Sequence, residues 1–219
     1  IDGVQVSDPS LISGGYDFRL LDLSQIESIE IIKGASSTLY GSGAASAVIN
    51  ITSKSADSKK MSTVFSTSLG TNQTVSDQKN TISDINSSVA FSGTLNKFTY
   101  SAGFSNQSTD GLSAAIGDTN EKDPYSKNGV DTRFGYTFSN AFSLAIYGNY
   151  SDTKSDIDGF DSNFNLVDTA DEFNSTQARV GVSSKFKYTN GSINLNAAYS
   201  EYDRQFVSSF LSTFRSKNY

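Results

Sequence analysis

A strict two-residue alternation of apolar and polar side chains limits the fold of this chain more than any other feature. It begins near residue 59 and recurs about seven times up to residue 208. Within 142–150, for example, Phe142, Leu144 and Ile146 share one face of an extended segment, and polar or small residues share the other. The apolar runs are three or four residues long, far short of the roughly 20 that a membrane-spanning helix needs. The pattern therefore predicts a series of β-strands, each with one apolar face and one polar face.

The segments at 98–105, 130–138, 178–188 and 193–199 repeat the pattern, and weaker copies lie at 61–69 and 85–95. Tight turns (TLNK, SNAF, TNGS) are interspersed with two links of about twenty residues, at 106–127 and 152–171. Aromatic residues fall near the predicted strand ends, namely Phe98, Phe138, Phe142, Tyr150 and Tyr188.

Two kinds of all-β protein could carry such strands. A soluble sandwich usually buries a strongly aliphatic face, and its loops show no long and short order. A transmembrane β-barrel has apolar-out, polar-in strands, aromatic girdles, short turns at one end and long loops at the other. The pattern favours the barrel, with a soluble β-sheet protein as the alternative. We expect residues 57–219 to be the N-terminal strands, about seven, of a larger antiparallel barrel embedded in outer-membrane lipid, with further strands needed to close it.

Composition excludes several functions. The net charge of −6 and the lack of a basic stripe argue against a nucleic-acid partner. The chain has no cysteine and no histidine, which removes thiol and imidazole nucleophiles or bases, so we do not expect an enzyme. Any metal site must use oxygen ligands, which favours calcium or magnesium.

Residues 1–56 do not show the regular two-residue alternation of the rest of the chain. They contain short segments typical of strands, separated by loops rich in glycine and serine. We interpret them as part of a small mixed α/β domain. Four short motifs follow one another in this order: IDG, IESIEIIKG, STLYG and AVINITSK. The chain begins at Ile1 within an apparent strand, so we expect it to be a piece of a longer protein.

The four motifs, in this order and directly ahead of a predicted barrel, resemble the last part of the plug domain of TonB-dependent outer-membrane receptors. Ala35 stands where the family usually has proline. The resemblance implies that residues 1–56 are the C-terminal part of a plug that fills the lumen of a 22-stranded barrel in a Gram-negative outer membrane. It also implies active import of a scarce nutrient, driven by the TonB energy-coupling complex. A passive porin or surface adhesin, the alternative from another class, would need no plug.

The resemblance also suggests candidate ligand contacts. In the family, the region that corresponds to residues 7–22 includes an apical loop that reaches towards the ligand. The candidates for substrate contact there are Leu11, Ile12, Ser13 and Tyr16. An ordinary surface loop is the alternative for each of them.

The two long predicted links are rich in carboxylates. Their spacing resembles the branch of the family that transports cobalamin, in which loop carboxylates bind Ca²⁺ and order the loops for the substrate. On that pattern the ligands of Ca²⁺ are Asp110, Glu121, Asp123, Asp158 and Asp168. Glu121 replaces an aspartate of the pattern, and solvated carboxylates without a metal are the alternative. The expected ligand is therefore cobalamin or a related corrinoid; a metal chelate such as a ferric siderophore, or haem, is the alternative. An accessory surface lipoprotein is a conceivable further partner.

Overall fold

The computed structural model describes residues 1–8, 15–34, 40–41, 44, 46–73, 78, 81–112, 122–208 and 210–219. Two sheets account for most of these residues. The first contains two antiparallel strands, β1 (Ile26–Lys33) and β2 (Ala47–Ser53). Two short 3-10 turns, Phe18–Leu20 and Leu23–Gln25, precede it, and the carboxylates of Asp17 and Asp22 cap them.

The second sheet contains eight strands: β3 (Ser62–Gly70), β4 (Asp84–Leu95), β5 (Phe98–Thr109), β6 (Tyr125–Thr137), β7 (Phe142–Phe160), β8 (Leu166–Tyr188), β9 (Gly191–Val207) and β10 (Leu211–Asn218). Each strand pairs antiparallel with the next in the chain. This meander confirms the expected wall of an antiparallel barrel next to part of a plug. Because β10 follows the last predicted repeat, the described residues hold eight strands rather than about seven.

The predicted boundary between residues 56 and 57 falls in the connection between the two sheets, since β2 ends at Ser53 and β3 begins at Ser62. No helix within the described ranges is long and apolar enough to cross a membrane.

The two faces of the large sheet differ in the way that the alternation predicts. Apolar side chains on one face are exposed; Ile146, for example, is 55% exposed and lies beside Val182 and Phe134 in the register. The other face is polar and buried against residues 1–34. Its most buried members are Lys127, Tyr147, Ser151, Thr153, Ser175, Gln177, Arg179, Ser200, Tyr202 and Arg204. The outer face is thus suited to lipid and the inner face to a polar lumen.

Aromatic rings mark both limits of the apolar face. At the end with the tight turns, Phe138 stacks on Phe142 with ring centroids 5.4 Å apart and meets Tyr136 at 4.9 Å. Tyr150 lies eight residues further along β7 and pairs with Val130. Eight residues of a strand span about 27 Å, or roughly 20 Å across a membrane at barrel tilt, close to the height of an outer-membrane apolar band.

One predicted link is wrong. The sequence interpretation placed a long loop at 152–171, but β7 continues to Phe160 and β8 begins at Leu166. Only residues 161–165 connect them. The apolar alternation stops after Tyr150 because the strands continue beyond the membrane band, where neither face needs to be apolar. In the sequence, such polar strand residues cannot be distinguished from a loop. The other long link, predicted at 106–127, is shorter and joins Thr109 to Tyr125.

Candidate functional site

The candidate functional site is the contact of residues 1–8 and 15–26 with the inner face of the large sheet. Its centre is Arg204 of β9, which is 2% exposed. Its guanidinium binds the carboxylate of Asp8 at 2.6 Å and that of Asp17 at 3.3 Å. Ser216 of β10 also donates a hydrogen bond to Asp8, at 3.0 Å. Asp8 itself is fully buried. One cation of the wall therefore binds two anions of the plug segment.

Asp17 links this cluster to the first 3-10 turn. Its carboxylate accepts hydrogen bonds from the backbone and the guanidinium of Arg19. Partial burial works to raise the pKa of Asp17, but the hydrogen bonds from Arg19 and the charges of Arg19 and Arg204 outweigh it, and its pKa lies below the usual value. Asp17 is therefore ionised at neutral pH. The guanidinium groups of Arg19 and Arg204 also lie 5.2 Å and 5.8 Å from the centre of the Phe173 ring.

Lys127 of β6 also binds the first 3-10 turn. Its ammonium donates to the backbone carbonyls of Arg19, at 2.6 Å, and of Leu21. The two acceptors are carbonyls near the end of a short helical turn, which would otherwise lack donors. A buried strand residue thus takes the place of a helix cap.

Tyr16 is the one candidate substrate contact within the described residues, because Leu11, Ile12 and Ser13 lie outside them. Its hydroxyl donates to Gln177 of β8 at 3.1 Å, and its ring meets Phe18 edge-on with centroids 5.8 Å apart. Burial, the largest cause, raises the pKa of Tyr16 well above its ordinary range, so the hydroxyl stays protonated and keeps its donor. A role of Tyr16 in substrate contact stays a prediction.

Three further cations, Arg133, Arg179 and Lys185, stand at inner-face positions of the alternation. Arg133 lies 3.9 Å from the carboxylate of Asp2, and Arg179 donates to the carbonyl of Ile1 at 3.2 Å. Lys185 instead lines a shallow hollow near the tight turn between β6 and β7. Two of the three cations thus hold the IDG turn.

A cavity of about 640 Å³ separates the two 3-10 turns from the wall formed by β3 to β6. Hydroxyl and amide side chains line the wall side, namely Ser66, Ser68, Asn86, Ser87, Ser88, Ser105, Asn106 and Gln107. The plug segment therefore contacts one part of the wall through ion pairs and leaves polar space against another.

The proposed calcium ligands lie in two groups, and Glu121 lies outside the described residues. Asp110 is bound to Lys122 at 2.8 Å, and the carbonyl of Asp123 lies directly against Gly111. Asp158 and Asp168 lie in β7 and β8 beside the register shift at Ile157 and Gly159. In the described part of the chain, no three acidic side chains gather as a metal site would require. The calcium site stays a prediction.

Comparison with known proteins gives three findings. The family model described as TonB-dependent Receptor Plug Domain matches residues 1–48. The vitamin B12 transporter BtuB of Vibrio vulnificus (strain CMCP6) is 28% identical over 175 residues, which cover 78% of this chain. A crystal structure of a ferric enterobactin receptor mutant from Pseudomonas aeruginosa, in complex with enterobactin, superposes on 92% of this chain with a TM-score of 0.71 and 15% identity.

The chain carries part of a TonB-dependent receptor plug domain. It spans 27% of the length of the vitamin B12 transporter and 33% of the enterobactin receptor. The receptors of this family are outer-membrane proteins of Gram-negative bacteria, and the relatives found here are named as a transporter and a receptor rather than as enzymes.

Sequence reasoning missed most of the contacts that hold the receptor's plug segment. Arg204, Lys127 and Tyr147 do stand at inner-face positions of the alternation, and a charge or a tyrosine at such a position is the available signal. Their partners lie far away in the sequence; Asp8 and Arg204, for example, are 196 residues apart. Only the fold brings the two together.

Proposed function

We propose that this receptor imports a scarce nutrient across the outer membrane of a Gram-negative bacterium in a step driven by the TonB energy-coupling complex. The observation that carries the proposal is the buried cluster of Arg204, Asp8 and Asp17 between plug segment and wall. Removing one partner of a buried ion pair costs about 3–5 kcal/mol. Because several such contacts would have to break together, spontaneous release of this segment is rare, and an external energy source is needed to move it.

A passive porin or an adhesin is the alternative from another class. Neither needs a segment seated against the inner wall, since a porin conducts through an open lumen and an adhesin acts at its outer rim. The transporter is favoured by the contacts of Lys127 with Arg19 and Leu21 and by those of Arg204 with Asp8 and Asp17.

We propose cobalamin or a related corrinoid as the nutrient. A vitamin B12 transporter of Vibrio vulnificus is 28% identical to this chain over 175 residues, and the spacing of the acidic residues in the sequence resembles that branch of the family. A ferric siderophore or haem is the second candidate, because the structural neighbour is a ferric enterobactin receptor. Outer-membrane lipid would surround the exposed apolar face, and an accessory surface lipoprotein would be a further partner.

The test uses the full-length receptor in a strain that lacks its own cobalamin and siderophore receptors. Uptake of radiolabelled cobalamin and of a radiolabelled ferric siderophore is measured with and without a functional TonB complex. We expect cobalamin uptake that disappears when TonB is removed. Uptake of siderophore alone would refute the corrinoid proposal, and uptake that persists without TonB would refute active transport.

We further propose that Ca²⁺ binds Asp110, Glu121, Asp123, Asp158 and Asp168. Carboxylates of neighbouring outer segments can supply the six to eight oxygens that Ca²⁺ prefers. Hydrogen exchange of the full-length receptor is compared with Ca²⁺ and with a chelator. We expect slower exchange in 106–127 and 152–171 when Ca²⁺ is present, and the variant Asp168→Asn should lose that difference. Equal exchange under both conditions would remove the site.

A further inference from the structure

The first three residues, Ile1 to Gly3, form a turn whose shape is fixed from within the plug segment. Asp2 and Gly3 both have positive φ angles, 52° and 77°. The backbone N–H of Asp2 donates to the carbonyl of Ile51 at 2.9 Å, and the Asp2 carboxylate accepts from both the N–H and the hydroxyl of Ser53, at 2.9 and 2.8 Å. Three hydrogen bonds therefore hold the turn against the end of β2.

The wall opposite this turn carries a stack of two guanidinium groups on one ring. Tyr147 of β7, which is 7% exposed, pairs with Arg133 of β6 and with Gly181 of β8 in the register. The guanidinium carbons of Arg133 and Arg179 lie 5.5 Å and 5.4 Å from the centre of its ring. Both distances are within the range of a cation–π contact.

Two glycines make room for this arrangement. A Cβ on Gly181 would lie 2.2 Å from Cζ of Tyr147, so only glycine lets the ring lie across the β8 backbone. A Cβ on Gly3 would lie 2.6 Å from Nδ2 of Asn196, so the turn approaches the wall as closely as a glycine permits. We name the five wall residues Arg133, Tyr147, Arg179, Gly181 and Asn196 the IDG socket.

Tyr147 also offsets a buried charge. Arg179 is 3% exposed, and among the residues that the structure describes no carboxylate lies within ion-pair distance of it. Its Nη2 donates to the carbonyl of Ile1 at 3.2 Å and to the hydroxyl of Tyr147 at 3.4 Å. A buried guanidinium without a carboxylate needs another source of negative potential, which the ring face and the Ile1 carbonyl provide. Loss of the ring would weaken the hold of Arg179 on the turn.

We propose that Tyr147 is a positioning residue that aims Arg133 and Arg179 at the Ile1–Gly3 turn and so keeps this turn and the end of β2 seated on the wall while other parts of the plug move. The role during transport rests on the proposed function. The seating itself is a property of the receptor at rest and can be measured without any nutrient.

The test compares two substitutions of the same residue type on the same strand in the full-length receptor in lipid vesicles. Tyr147→Leu removes the ring from the socket, and Tyr150→Leu, on the lipid face, is the control. Hydrogen exchange is followed at the amides of Asp2 and Ser53. We expect roughly tenfold faster exchange in Tyr147→Leu, wild-type exchange in Tyr150→Leu, and nearly wild-type exchange in Tyr147→Phe, which keeps the ring.

Wild-type exchange in Tyr147→Leu would overturn the proposal, and so would equally fast exchange in Tyr147→Phe and Tyr147→Leu. If Tyr147→Leu does not assemble, Gly3→Ala changes the turn and leaves the barrel sequence intact. The same acceleration is then expected at Ser53, and its absence overturns the proposal. A wild-type receptor that imports no nutrient would refute the proposed function, whereas the positioning role is decided by exchange alone.

Discussion

The two faces of β7 and β8 differ in both the polarity and the burial of their side chains. On the inner face Tyr147, Gln177 and Arg179 are polar and buried, and on the outer face Ile146 and Val180 are apolar and more than half exposed. In a water-soluble sheet the buried face would be the apolar one. The difference is the one expected of a sheet whose outer face meets lipid, and the plug segment satisfies the polar groups of the inner face. The four predictions that follow test this comparison.

The largest effect is expected from Arg204→Met. The substitution leaves Asp8 and Asp17 buried without their shared cation, which should cost about 3–5 kcal/mol of plug seating. Limited proteolysis of the plug in denaturant, with the barrel still folded, measures the loss. Arg215→Met on the neighbouring strand is the control, because Arg215 pairs with Asp203 at 2.5 Å but is largely exposed and should contribute below about 1 kcal/mol. Equal losses for both variants would contradict the contrast between the buried and the exposed pair.

A charge in the middle of the outer face should have the next largest effect. Ile146 lies halfway between Phe142 and Tyr150, so Ile146→Arg should lower the free energy of unfolding in lipid vesicles by about 2–4 kcal/mol. Ser143→Arg, on the inner face of the same strand, should cost much less. If Ile146→Arg is tolerated as well as Ser143→Arg, the outer face does not meet lipid.

A smaller effect is expected from Tyr16→Phe. It removes the hydrogen bond to Gln177 and leaves that buried amide oxygen without this donor, which should cost about 1 kcal/mol. Hydrogen exchange at residues 15–20 measures the change. Substrate affinity, measured on the same variant, tests the separate prediction that Tyr16 contacts the ligand.

The smallest effect is a dependence of plug seating on acid. Because the pKa of Asp17 in the folded receptor is below its ordinary value of 3.8, the contribution of Asp17 is complete above that pH and is lost as the pH falls through the lowered pKa. Protease resistance of the plug should therefore decline in this window. Asp17→Asn should reduce the decline, and an identical decline in the variant would assign it to other carboxylates.

Much of the fold could be predicted from the sequence. Alternation fixes which residues share a face, so the sequence alone places residues 142, 144 and 146 together on one apolar face. Strand ends outside the membrane are harder to predict, because residues 151–156 are polar on both faces and residues 157–171 carry no regular alternation. The acidic segment predicted as a loop is for this reason largely a strand.

The contacts of the site could be predicted only in part. The alternation puts Arg133 and Arg179 at inner-face positions, but it identifies no partner for either of them and does not indicate the cluster around Arg204.

The sequence by itself determined the strands with one apolar and one polar face, the tight turns and the motifs typical of the plug, since each depends on neighbours a few residues away. Only the tertiary structure decided which residues meet, such as Arg204 of the wall with Asp8 of the plug segment, or Tyr147 with Gly181 on the neighbouring strand. Those contacts depend on the register of strands and on the seating of a segment nearly two hundred residues away, and no local pattern encodes that geometry.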